Sequence, residues 1–218
     1  MSDPRLILAL DTATPTVVVG LVELGDAGPR TLAERVVDDH RRHAEVLTTL
    51  MRDVLADAGV TGADLDGVVV GCGPGPFTGL RVGMATAAAY ADALGIGVYG
   101  VCTLDAIAGA AGESADVLVV TDARRREAYW ARYRGGQRID GPQVSAPDAV
   151  VVGEAAVVAG TPGFTDRYGL PVSAVTVPTP ASLVAAADLT APGPLTPLYL
   201  RRPDAVELKD QRRKSLLP

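Results

Sequence analysis

Lysine is nearly absent from this 218-residue chain: of 20 basic residues only Lys209 and Lys214 are lysines, and the rest are arginine. The cationic total falls short of the 26 acids and leaves a net charge of -6. That balance excludes a protein that grips nucleic acid unaided over a broad basic face. Cysteine is as scarce, with Cys72 and Cys102 each following a β-type run. Two thiols give no metal-ligand spacing and read as reduced core residues. Histidine is confined to His40 and His43. Their spacing could share a helical face, but a zinc site needs further ligands, and neither cysteine is near in sequence. No apolar run reaches eighteen residues, which excludes a membrane-spanning helix. The five apolar residues Leu6 to Leu10 are too few for a signal-peptide core, so the expected location is the cytoplasm. Serine stands in no G-x-S-x-G elbow, and no Gly-Lys-[Ser/Thr] completes a phosphate loop. Gly and Pro together make 40 of the residues, under the roughly 25–30% of low-complexity disorder. The chain is expected to fold.

What is present reads as α/β. Leu6 to Leu10, a polar turn opened by Asp11 and Thr12, and Val17 to Val22 predict a hairpin, with Arg30 to Val37 returning as a third strand. Leu47, Leu50, Met51, Val54, Leu55 and Ala58 recur at helical spacing, closed by Gly59. Val68 to Val70 predicts a buried strand running into the loop Gly71 to Gly79, with Thr78 as the expected cap of an Ala-rich helix ending at Leu94. A strand over 96–101 completes a first lobe, residues 1–102. The remainder, 103–218, starts alike: a helix near Leu104 to Ala111, a strand at 116–121, and a turn opened by Asp122 that leads into a β-rich stretch. Two strand-Asp-turn-strand hairpins suggest duplication of one unit. Beyond residue 141 only a short strand at 150–153 and a helix at 181–189 are expected, so the second lobe reads as truncated.

Gly79, Gly83, Ala87 and Ala91 recur at every fourth position and predict a bare ridge that lets a second backbone approach, either this chain's own sheet or a partner helix. Arg81, in the first turn of that helix, opposes the helix dipole and is expected to pair with a carboxylate, here or across an interface. Six arginines between 122 and 138, with Tyr129, Trp130 and Tyr133 interleaved, could face RNA or form the solvated face of a hairpin. The tail from Arg201, with six basic residues and three acids, reads as a solvated end.

ILALDTATPT, HAEVL, GPGPFTGLRVG, DARRREAYW and PLYLRRPDAVE occur in this order along nearly the whole chain. Together they resemble the bacterial TsaB family, also called YeaZ or glycoprotease-like, with Pro76 and Ala44 where that family commonly has serine. The resemblance implies an actin/Hsp70-like (ASKHA) α/β fold of two lobes with the second reduced. It implies a non-catalytic subunit that supports the catalytic homologue TsaD, together with the ATPase TsaE, in threonylcarbamoylation of the tRNA adenosine beside the anticodon. The partners implied are TsaD, TsaE and, through the complex alone, tRNA, with a homodimer when the chain is by itself. No cofactor of its own is implied; ATP or ADP would sit at a junction between subunits. The interface falls on His43, Leu47, Met51, Arg81, Gly83, Met84 and Ala87. Asp11, Thr12 and Asp122 stand as a vestigial nucleotide loop; in the competing reading, a self-sufficient ATPase or kinase, they serve phosphate and metal.

Overall fold

A computed structural model describes residues 3–38, 43–112 and 116–201. The first sheet holds β1 (Arg5–Asp11), β2 (Thr16–Gly25), β3 (Gly28–Asp38), β4 (Gly67–Gly71) and β5 (Gly97–Val101), in the order β3-β2-β1-β4-β5. The β1, β2 and β3 strands run antiparallel, whereas β4 and β5 join β1 in parallel. Helix α1 (His43–Asp57) and helix α2 (Phe77–Leu94) supply the crossovers around β4 that parallel pairing demands. They cover one face, where Leu8, Leu10, Val19, Leu47, Val54 and Leu80 form the largest core.

The second sheet repeats the plan in less material. Strands β6 (Val117–Asp122), β7 (Ala128–Arg134) and β8 (Gln137–Ser145) form the antiparallel meander, and β9 (Val157–Gly160) pairs parallel with β6. A three-residue 3-10 turn at Pro147–Ala149 stands where the first lobe has the 15-residue α1. Helix α3 (Thr103–Ala111) lies between the sheets. Its Ala106 packs on Ile7 and Ala9 of the first, while Leu104 and Ile107 pack on Val117 and Val119 of the second. Helix α4 (Pro180–Ala186) returns to the first sheet, with Pro180 filling the space over Gly20. Segment 193–201 then straps both lobes: Leu198 N–H donates to the Cys72 carbonyl at 2.9 Å, and Arg201 donates to the Ala123 carbonyl at 2.6 Å.

Three expectations differ in detail, and one strand has no expectation behind it. The strand expected at 150–153 is absent, because Val152, Gly153 (φ 59°) and Glu154 turn the chain; β9 begins only at Val157. Thr78 does not cap α2: Pro76 occupies the cap position, its carbonyl accepts from Leu80 N–H, and Thr78 is an exposed first-turn residue. The last helix ends at Ala186 and starts from a capping box in which Thr179 and Ser182 exchange side-chain bonds, a signature legible in Thr-Pro-Ala-Ser. The edge strand β8 was not foreseen, since it is mostly polar and partly or fully exposed and lacks apolar alternation.

Candidate functional site

The loop that invited a nucleotide reading is filled by its own side chains. Asp11, fully buried at the end of β1, accepts Ala13 N–H at 2.9 Å and the Thr103 hydroxyl at 2.6 Å. The absence of a side chain at Gly71 is what admits that carboxylate, since a Cβ there would overlap it. Thr12, equally buried, donates to the Gly79 carbonyl at 2.7 Å, and its hydroxyl occupies the space a side chain at Gly83 would need. Gly75 lies against the Ala13 carbonyl. Thus Asp11 and Thr12 are keys that lock the ends of β1 and β4 to α2 and α3. Their polar atoms are engaged within the fold, which does not suit a nucleotide phosphate at this loop. Asp122 is placed differently, partly buried at the opening of the β6–β7 turn, where it accepts Arg124 N–H at 2.7 Å. It stands at the end of a strand in the second sheet, whereas Asp11 ends β1 in the first.

The bare ridge of α2 also turns inward. Gly79, Gly83, Ala87 and Ala91 are all buried against this chain's own sheet and loops, so Gly83 and Ala87 leave the set of interface candidates. Leu47 leaves it too, fully buried under α1. Met51 and Met84 are buried but border surface hollows. The helix containing His43 is described, but the His43 side chain and all of His40 fall outside the described residues. Arg81 is exposed and makes no ion pair with a carboxylate among the described residues. Its guanidinium instead lies 3.8 Å over the Phe77 ring, and its Nε donates to the Tyr199 hydroxyl at 3.1 Å, while Phe77 and Tyr199 pack at 5.0 Å. Within this chain the electron-rich face of Phe77 and the Tyr199 hydroxyl hold the guanidinium.

The opposite face of α2 shows what periodicity missed. Ala85, Ala89 and Ala93 are exposed there, facing Thr48, Arg52 and Ala56 of α1 across a trough of about 800 Å³ floored by Met51, Leu55 and Tyr90. Three exposed alanines one turn apart leave the α2 side of the apolar floor without a long polar side chain. Their spacing is readable in the sequence, but the longer Gly/Ala ridge has the same period.

Both cysteines are held as thiols. Burial pushes Cys72 up to about 11 and, with the nearby Asp105 carboxylate adding to it, Cys102 up to about 12, against an ordinary 9.0. Iodoacetamide at pH 8 is expected to label neither in the native protein and both in urea, read by mass spectrometry; rapid native labelling would contradict the burial. Because the folded values lie above the unfolded one, the contribution to stability is constant below pH 9. It is lost as pH rises from there through 11 and 12.

A family model for TsaD, the tRNA N6-adenosine threonylcarbamoyltransferase, matches residues 31–180. A solved Pseudomonas aeruginosa structure, described as an uncharacterized protein with similarity to the peptidase YeaZ, superposes with a TM-score of 0.74. The two are 30% identical, covering 90% of this chain and 100% of the other. The chain belongs to the TsaB/YeaZ family. Escherichia coli TsaB, the tRNA threonylcarbamoyladenosine biosynthesis protein, is 34% identical over 131 residues, which are 59% of this chain and 54% of its own length. An uncharacterized Mycobacterium tuberculosis protein is 58% identical over 203 residues, 93% of this chain and 94% of that one. No described helix is long and apolar enough to cross a membrane.

Proposed function

We propose that the chain serves tRNA threonylcarbamoyladenosine biosynthesis as a non-catalytic subunit. It holds a TsaD homologue by the α1–α2 face, the TsaE ATPase joins that pair, and tRNA is reached through the complex. The observation that carries this reading is the open apolar trough between α1 and α2, bordered by Ala85, Ala89 and Ala93. Small side chains on a helix face allow a partner helix to approach closely and pack its ridges into the groove. The same face would receive a second copy of the chain when the partner is missing. The engagement of Asp11 and Thr12 within the fold supports the absence of turnover.

Ala89→Arg tests the face directly. Residue 89 is exposed, so the melting temperature is expected to stay within a degree or two. A charge forced into the contact should weaken the complex with a TsaD homologue by about 2–4 kcal/mol, roughly 30- to 1,000-fold. Calorimetry with the purified partner checks this, and undiminished binding would remove the trough from consideration. The isolated chain is expected to hydrolyse no ATP. Hydrolysis that Asp11→Asn abolished would revive the kinase reading.

A further inference from the structure

The β6–β7 turn carries a feature that the subunit reading leaves unused. Arg124, Arg125 and Arg126 follow one another with φ of 63°, 51° and 63°. Each is left-handed, a conformation that glycine adopts freely and other residues adopt at a steric cost. The turn itself is well anchored: Ala123 N–H donates to the Glu127 carbonyl, Glu127 N–H to the Arg124 carbonyl, and Arg201 clasps both Ala123 and Glu127. Glycine would fit this backbone with less strain. A composition rich in arginine does not explain the choice either, for the chain has 24 glycines to draw on. Strained backbone conformations of this kind concentrate at binding sites.

The three arginines share a cleft of about 670 Å³ with Arg167, which comes from the loop after β9. Arg132, Arg134 and Arg138 of the same hairpin are each committed to a carboxylate: Asp140 at 3.0 Å, Asp116 at 3.0 Å and Asp105 at 2.9 Å. Arg126 and Arg167, by contrast, form no ion pair among the described residues. Two acids, Asp122 and Asp148, line the cleft against four guanidinium groups. Asp122 is itself partly engaged, accepting Arg124 N–H and lying 3.7 Å from the Arg124 guanidinium. Arg126 and Arg167, the two lining guanidinium groups without an ion pair among the described residues, fit one or two phosphate groups in a molecule of net charge -6, not a long nucleic-acid groove.

We infer that the Arg124–Arg126 turn and Arg167 form a phosphate-binding cleft on the second lobe, for the phosphates of an RNA strand or of a free nucleotide. Guanidinium forks match phosphate oxygens in a bidentate way that lysine cannot, and the cleft is lined by four of them. This site is independent of the α1–α2 face, and a failure of partner binding leaves it untouched.

The test uses the isolated full chain, a fluorescently labelled anticodon stem-loop RNA followed by anisotropy, and ADP followed by calorimetry. Binding to at least one probe is expected at 50 mM salt, weakening about tenfold by 200 mM for two phosphates engaged. Arg124→Gly combined with Arg126→Gly should reduce binding at least tenfold while raising the melting temperature, because glycine relieves the left-handed strain. Asp122→Asn keeps an acceptor for Arg124 N–H, removes the opposing charge and should tighten binding several-fold. ADP that displaces the RNA identifies a nucleotide phosphate as sufficient; RNA that binds without displacement identifies the strand. No binding of either probe would overturn the inference, and so would full binding by the double-glycine protein.

Discussion

Gly83→Leu is expected to destabilise the first lobe strongly, although residue 83 belongs to a small-residue ridge that would suit a partner helix. A side chain here enters the space of the Thr12 hydroxyl, which is buried and spent on the Gly79 carbonyl. The leucine must therefore either expel Thr12 or push α2 off the sheet. Overpacking costs about 1–3 kcal/mol, and a buried polar group left unpaired adds about 1–3 kcal/mol. The sum is a large part of the 5–15 kcal/mol that a typical domain has in total. Urea titration followed by circular dichroism checks it. Gly83→Ala provides the milder comparison, and removing the obstacle with Thr12→Ala should recover much of its loss. A Gly83→Leu protein as stable as the parent would show that α2 does not pack as described.

Asp11→Ala is the second large effect, and its direction separates a structural key from a catalytic relic. Truncation leaves Ala13 N–H and the Thr103 hydroxyl without their acceptor in a fully buried position. The loss of about 1–3 kcal/mol for each orphaned group amounts to roughly 2–6 kcal/mol. At about 2–4 °C per kcal/mol for a chain of this size, the melting temperature should fall by at least about 4 °C. Thr103→Val in the same background should cost less than in the parent, because the hydroxyl has already lost its partner. A relic of catalysis with no structural duty would be replaced without loss, or even with gain.

Much of the first lobe was legible because its signals are local. Alternating or continuous apolar runs bounded by polar turns marked β1 to β5. The helical spacing from Leu47 to Ala58 marked α1, with Gly59 as its stop. The second lobe was less legible for reasons that can be named. Strand β8 lies at a sheet edge and buries little, so no apolar pattern records it. The run Val150–Val152 has strand composition but no strand to pair with, and β6 pairs instead with Val157–Gly160. Composition predicts what a segment tolerates; the hydrogen-bonding partner decides what it forms.

The candidate surfaces divide the same way. The exposed alanines of α2 and the buried Gly/Ala ridge have similar composition, and from sequence either could have faced outward. Arg81 was marked by its conflict with the helix dipole, yet its partners Phe77 and Tyr199 could not be chosen from sequence, since Tyr199 lies 118 residues away. The scarcity of lysine carried more than it first suggested. It concentrates the positive charge in arginines, most of the hairpin's being committed to carboxylates, while the Arg124–Arg126 turn stands in a conformation that sequence reading had no means to foresee.

By itself the sequence determined the α/β class, the repeated hairpin opening, the reduced second lobe and the family, because each rests on local periodicity or on motifs in order. Only the tertiary structure decided which face of α2 is core and which is free, that Asp11 and Thr12 serve as keys, and where the arginines end up. Those outcomes depend on contacts between residues far apart in the chain, such as Thr12 with Gly79 and Gly83 or Asp11 with Thr103. A helical repeat says which residues share a face, but what covers that face is settled by the packing of the whole chain.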